Sequence, residues 1–177
     1  MKLIVLDRDG TINHDSDQYI KSPAEWRPIK GSLEAIARLT QAGWHVVVAT
    51  NQSGLARGLF DFATLNAIHQ TMHTAVLQAG GRIDAIFFCP HRAEDDCNCR
   101  KPKPGLLREI ARRMNVDLAA VPVVGDSLRD LQAAAEAGAR PMLVLTGKGK
   151  KTRDAGGLPQ GTGVFADLAA VAAQLAP

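Results

Sequence analysis

Apolar residues fall in short runs, separated by longer stretches with helical patterning. Lys2–Leu6 (KLIVL), Trp44–Ala49 (WHVVVA), Ile83–Phe88 (IDAIFF), Val121–Val124 and Pro141–Leu145 (PMLVL) read as strands, with a shorter run near Val164–Phe165. Between them lie helix patterns over Leu33–Ala42, Phe62–Ala79, Leu106–Met114 and Ser127–Ala137, and a last helix from Asp167. Ser32 and Asp61 stand where N-caps belong, Pro104 leads into the third helix, and Gly43, Gly80–Gly81 and Gly138 follow helix ends. Gly147–Thr152 is rich in Gly and Lys. It lacks the spacing of a phosphate-binding P-loop and predicts a mobile basic loop with no helix starting there.

The strands are apolar almost throughout rather than alternating, as strands buried on both faces are. Strand and helix alternation then predicts an α/β fold: a Rossmann-like three-layer sandwich with a mainly parallel sheet. No internal repeat, low-complexity linker or break in composition divides the chain, so one domain over residues 1–177 is expected. The intervals from Asp9 to Thr50 and from Thr50 to Lys101 are too short for a separate cap domain, so the site should be open.

Composition excludes some classes of function. At 46% apolar and 22% charged residues the chain buries a real core and is not intrinsically disordered. No apolar run approaches a membrane span, and a strand beginning at Lys2 leaves no room for a signal peptide, so the cytoplasm is expected. The net charge of +3 suits a small anionic substrate. It is too weak to indicate nucleic acid, and one Tyr, two Trp and five Phe cannot line a base-stacking groove. The chain is expected to act as a monomer, with no membrane or nucleic-acid partner.

In open parallel sheets ligands sit beyond the carboxyl ends of the strands. After the first strand comes Asp7-Arg8-Asp9-Gly10-Thr11. Two carboxylates this close repel, and a cation beside a phosphate relieves the repulsion; a carboxylate can also attack phosphorus while its neighbour moves protons. After the second strand comes Thr50-Asn51-Gln52-Ser53-Gly54, with a hydroxyl and successive N–H groups suited to phosphate oxygens. Arg100-Lys101-Pro102-Lys103-Pro104-Gly105 offers two lysines as point charges for an anion. After the fourth strand, Gly125-Asp126-Ser127 places an acid where it could complete a Mg²⁺ site. Asp130 either caps the following helix with Ser127 or supports the site from behind.

The three cysteines have a separate meaning. Cys89-Pro90-His91, five residues, then Cys97-Asn98-Cys99 form a C-x-H-x5-C-x-C set. Three thiolates and one imidazole make a closed tetrahedral Zn²⁺ site, which implies a structural zinc-stapled loop. His14, His45, His69 and His73 lack partnering acids and read as surface or packing residues.

Taken in this order, the four strand-end segments resemble the haloacid dehalogenase-type phosphatase superfamily over nearly the whole chain. The resemblance implies a Mg²⁺-dependent phosphomonoester hydrolase working through an aspartyl-phosphate. Asp7 would be the nucleophile, Asp9 the general acid/base, and Thr50 and Lys101 the holders of the transferring phosphoryl group. Mg²⁺ would be bound by Asp7, Asp126 and the main-chain carbonyl of Asp9. With the zinc loop, the motifs look like the branch of the superfamily acting on sugar bisphosphates. The implied reaction is removal of the 7-phosphate of D-glycero-D-manno-heptose 1,7-bisphosphate, in nucleotide-activated heptose synthesis. By the same likeness Arg100 would contact the substrate, Asp15 and Tyr19 would line the sugar side, and Asn51, Gln52 and Ser53 would complete the substrate site. A histidinol-phosphate phosphatase, which shares the zinc loop, and a catalytically silent zinc-stapled binding module are the alternatives.

Overall fold

The computed structural model describes residues 1–177. Strands β1 (Lys2–Leu6), β2 (Trp44–Asn51), β3 (Ala85–Cys89), β4 (Pro122–Gly125), β5 (Arg140–Val144) and β6 (Gly163–Phe165) form one sheet in the order β3-β2-β1-β4-β5-β6. Every neighbouring pair is parallel, so the sheet is wholly rather than mainly parallel. Helices α1 (Ser32–Gln41), α2 (Phe62–Gln78), α3 (Gly105–Met114), α4 (Leu128–Glu136), α5 (Gly149–Ala155) and α6 (Leu168–Leu175) complete the chain.

The alternation of side chains along β1 shows why its run is apolar at every position. Ile4 and Leu6 enter a core with residues of α1, α2 and α6, while Leu3 and Val5 enter a second core with residues of α3 and α4. Two buried cores on opposite faces of one sheet give the three layers expected. No second sheet interrupts the loops between strands.

Three local expectations need correction. The third strand begins at Ala85 rather than Ile83, because Asp84 sits at its entry and its carboxylate accepts the Val46 N–H at 3.0 Å. Ser32 is the first helical residue of α1 and not its cap. Gly31 holds that place, and the Ser32 hydroxyl lies 2.7 Å from the carbonyls of Ile12 and Ile29, tying α1 to the loop after β1. His69, expected at the surface or in packing, is buried, at 6% exposure, as a packing residue is. Residues 149–155 form helix α5 rather than a loop. A glycine at its start and the lack of an apolar helical period hid it, and tertiary anchors described below hold it. Asp61 does cap α2, accepting the Thr64 N–H at 2.8 Å.

Helix α3 is the element that carries the end of the Lys101 loop, and Ile110 is its fully buried anchor. Truncation there leaves a cavity as well as lost burial. Ile110→Ala should cost about 2–5 kcal/mol of stability, the usual range for this change in a core. The shift in urea midpoint at unchanged slope is the measurement that checks it.

Candidate active site

Strands β1 and β4 lie side by side at the centre of the sheet, and the chain leaves them toward opposite edges. A crevice opens at such a switch point, beyond the carboxyl ends. Asp7 follows β1 and its N–H donates to the Val124 carbonyl at 2.8 Å. Asp126 follows β4, Thr50 and Asn51 end β2, and Lys101 returns from the loop after β3. Residues far apart in sequence therefore meet because each leaves the same edge of the sheet.

Lys101 is buried, at 4% exposure, between two acids. Its Nζ lies 2.6 Å from Asp130 Oδ1, 2.9 Å from Asp7 Oδ1 and 2.8 Å from the Ala49 carbonyl. Burial alone would disfavour the ammonium, but Asp130 and Asp7 outweigh it and hold its pKa above the ordinary lysine range. The loop is aimed by Asn51, whose Nδ2 donates to the Lys101 carbonyl and whose Oδ1 accepts the Lys101 N–H, both at 3.1 Å.

Oxygens of Asp7, Asp126 and Asp130 all lie within 4.8 Å of one another. Burial, then the charge of Asp130, push the Asp7 carboxyl well above its ordinary pKa, against the pull of Lys101. Burial and Asp130 likewise raise Asp126, to about 7. Asp130 is already committed: Oδ1 faces Lys101, and Oδ2 accepts the N–H and hydroxyl of Ser127 at 3.1 and 2.8 Å. It is thus both helix cap and site wall. Hard oxygen donors with unrelieved negative charge fit a divalent cation such as Mg²⁺.

Asp9 has the opposite environment. Arg8 reaches it with Nε 3.0 Å from Oδ1 and Nη2 3.2 Å from Oδ2, and Asn13 and Gln52 donate at 2.9 and 3.0 Å. Burial opposes ionisation, yet the charge of Arg8 and these hydrogen bonds leave its pKa below the ordinary value. Gln52 also donates to the Thr50 hydroxyl at 3.0 Å, fixing the two together.

The crevice is a polar cleft of about 210 Å³, and every expected contact lines it: Asp7, Asp9, Asp15, Tyr19, Thr50, Asn51, Gln52, Ser53, Arg100, Lys101 and Asp126. Lys103 is exposed and pairs with Asp96 at 2.9 Å, so Lys101 is the lysine that faces the acids. Two further cations line the cleft, Arg129 and, from the basic segment 147–152, Lys148. Arg129 is exposed and without an ion-pair partner, three residues past Asp126 on α4, where only the direction of the helix reveals it. Lys148 pairs with Asp15 at 3.3 Å across the mouth. Its backbone N–H donates to Asp126 Oδ2 at 2.7 Å, and Thr152 donates to the Asp126 carbonyl at 2.8 Å. These bonds anchor α5.

Beside the cleft, the Cys89, Cys97 and Cys99 sulfurs and His91 Nδ1 converge within 4.8 Å of one another. Cys89 Sγ lies 3.6 Å from Cys97 Sγ and 3.5 Å from His91 Nδ1, and the Cys99 sulfur is 3.3 Å from the same nitrogen. No disulfide forms. Four soft donors around one point fit a thiophilic metal ion. The Arg100 N–H donates to Cys97 Sγ at 3.3 Å, joining this cluster to the loop that carries Lys101.

Comparison with known proteins agrees with the geometry. A HAD-hydrolase-like family model matches residues 98–171. A D-glycero-beta-D-manno-heptose-1,7-bisphosphate 7-phosphatase of Bordetella bronchiseptica is 69% identical over 99% of this chain and 98% of its own. The corresponding protein of Pseudomonas putida is 54% identical over 99% of each. The crystal structure of the D,D-heptose 1,7-bisphosphate phosphatase from B. bronchiseptica, complexed with magnesium and phosphate, superposes with a TM-score of 0.98 at 69% identity. It covers 99% of this chain and 98% of that one. The Burkholderia thailandensis structure of the same description gives 0.80 at 57% identity, over 99% and 98%.

Two glycines press against Asp126. A Cβ on Gly10 or Gly147 would collide with its carboxylate, and one on Gly147 would also lie 2.6 Å from the Gly10 backbone. Both have positive φ, +84° and +54°. Gly147→Ala should therefore cost roughly 1–3 kcal/mol, from overpacking plus backbone strain. A urea titration of the variant against the parent protein tests this.

Proposed function

The chain belongs to the D-glycero-β-D-manno-heptose-1,7-bisphosphate 7-phosphatase family of HAD-like hydrolases, and from that premise we propose how its own residues carry out the reaction. The observation that carries the reading is Asp7 at the switch point, within reach of Lys101 and facing a cleft of phosphate-binding groups. The carboxylate of Asp7 attacks phosphorus of the 7-phosphate. The bond from phosphorus to the sugar oxygen breaks, that oxygen takes a proton by way of Asp9, whose ionised resting form first picks one up from solvent, and an aspartyl-phosphate is left on Asp7. Water then attacks phosphorus while Asp9 takes its proton, releasing inorganic phosphate and restoring Asp7.

Lys101 and Thr50 hold the phosphoryl oxygens, and Ser53 with the amides around Asn51 and Gln52 complete their cradle. Asp7, Asp126 and the main-chain carbonyl of Asp9 would hold Mg²⁺, which when bound supplies positive charge against the phosphoryl oxygens. A primary phosphate on an exocyclic arm can reach Asp7 at the cleft floor, whereas an anomeric phosphate held against the ring is sterically harder to present. The 1-phosphate then stays at the rim, where Arg100, Arg129 and Lys148 supply cations. Asp15 and Tyr19 face the sugar between the two ends. The heptose names of the matched relatives weigh against histidinol phosphate as the substrate.

Cys89, His91, Cys97 and Cys99 we assign to a structural Zn²⁺ that shapes the approach to Arg100 and Lys101. Every residue used in these steps comes from one chain, so the reaction as proposed needs no partner subunit. No helix is long and apolar enough to cross a membrane, and a soluble phosphosugar substrate supports a cytoplasmic site of action.

Four experiments test these assignments. Phosphorus NMR of the product of heptose 1,7-bisphosphate should show loss of the 7-phosphate and retention of the 1-phosphate, and Asp7→Asn should abolish turnover. Release of the 1-phosphate, or an active Asn variant, would reject the orientation or the nucleophile. Metal analysis of protein purified without chelator should find about one Zn²⁺ per chain. Cys97→Ser should lose that zinc and raise KM more than it lowers thermal stability.

A further inference from the structure

Behind Asp9, outside the cleft, two buried side chains have no part in the steps above. Arg8 is wholly buried and His69, on α2, nearly so. The Arg8 guanidinium spans both groups. Nε and Nη2 face the Asp9 carboxylate, and Nη1 lies 3.1 Å from His69 Nε2. The Phe88 ring of β3 stands beside the imidazole, tilted against it, with ring centroids 6.4 Å apart.

A guanidinium carries donors only, so His69 Nε2 must accept. The ring is then neutral, with its proton on Nδ1. Burial first, and then the adjacent positive charge of Arg8, push the His69 pKa down to about 3, which keeps it an acceptor across the physiological range. Without that acceptor Nη1 would be a buried donor with no partner, and the planar fork would be free to turn. Asn13 and Gln52 also hold Asp9, but Arg8 is its only charged donor.

We propose that His69 is a positioning residue for the reaction: it fixes the plane of the Arg8 guanidinium, which fixes the Asp9 carboxylate for proton transfer. This rests on the reading of Asp9 as the group that gives a proton to the departing sugar oxygen and later takes one from water. Neither His69 nor Arg8 touches the substrate. A loosened Asp9 should therefore slow both proton transfers and leave substrate binding intact.

The test compares His69→Met, similar in length but without a strong acceptor, with His69→Gln, whose amide oxygen can reach the place of Nε2. Each Mg²⁺-loaded enzyme is assayed on heptose 1,7-bisphosphate and on p-nitrophenyl phosphate, whose leaving group needs no proton. The Met variant should lose roughly 10- to 100-fold in kcat on the alkyl substrate, part of the span of general acid–base catalysis, with KM little changed. Its single-turnover burst of p-nitrophenol should stay near that of the parent while decay of the phosphoenzyme slows. The Gln variant should recover most of both rates. Equal losses of the alkyl rate and the aryl burst, no rescue by Gln, or an unchanged alkyl kcat per folded molecule in the Met variant would each overturn the proposal. If the Met variant does not fold, Arg8→Lys replaces it, since lysine keeps the charge but cannot bridge Asp9 and His69, and the same split is expected. If the parent enzyme ignores heptose bisphosphate, only the substrate reading fails, and the comparison proceeds with an alkyl phosphate it does hydrolyse.

Discussion

Mutual repulsion among Asp7, Asp9, Asp126 and Asp130 is the constraint that the rest of the site answers. Oxygens of three of these acids lie within 4.8 Å of one another. At that distance and an effective dielectric near 20, each like-charged pair costs about 3 to 4 kcal/mol, a sizeable share of a domain's whole net stability. Each acid accordingly has its own counterpart: Lys101 between Asp7 and Asp130, Arg8 on Asp9, the Lys148 N–H on Asp126, and Ser127 on Asp130. With all three clustered carboxylates ionised, one buried ammonium leaves two negative charges. One divalent cation matches that remainder, so the same imbalance that strains the apo fold selects the metal.

The sheet and the residues at its edge were legible in the sequence because both depend on short-range signals. Apolar runs mark β1 to β5 to within a residue or two, except where Asp84 opens β3, and Asp7, Thr50, Lys101 and Asp126 stand just beyond the strands or the loop that returns from them. The Cys89–Cys99 set was legible for the same reason, since its donors lie within one loop. What escaped the sequence depends on side-chain direction over long separations. Helix α5 has the composition of a loop, and only Asp126 and Thr152 in space make it a helix. His69 looked like a packing residue, and nothing at its own position announces that Arg8, sixty-one residues earlier, needs an acceptor.

Floor and rim of the cleft are governed differently. The floor comes from strand ends locked by main-chain pairing across the sheet, which leaves Asp7 and Asp126 little freedom. The rim comes from loops tied by side chains, with Arg100 hung from Cys97 and the His91 carbonyl, and Lys148 drawn to Asp15. On the proposed reading, chemistry belongs to the first and choice of substrate to the second. Substitutions at the rim can thus alter which phosphate ester is accepted without disturbing the reacting groups.

The anchoring of residues 146–152 on Asp126 has a consequence for biosynthesis. Thr146 donates to the Gly10 carbonyl at 2.7 Å, across 136 residues, and Lys148 and Thr152 close over Asp126 from the same segment. A chain emerging from the ribosome can pair β1 with β2 early, but its acidic centre stays unclamped until residues 146–152 are made. Assembly of the catalytic edge is therefore a late, long-range event, of the kind that loop-closure entropy makes slow. A nascent or C-terminally shortened chain ending before Thr146 would carry every catalytic acid and still lack the clasp that holds them together.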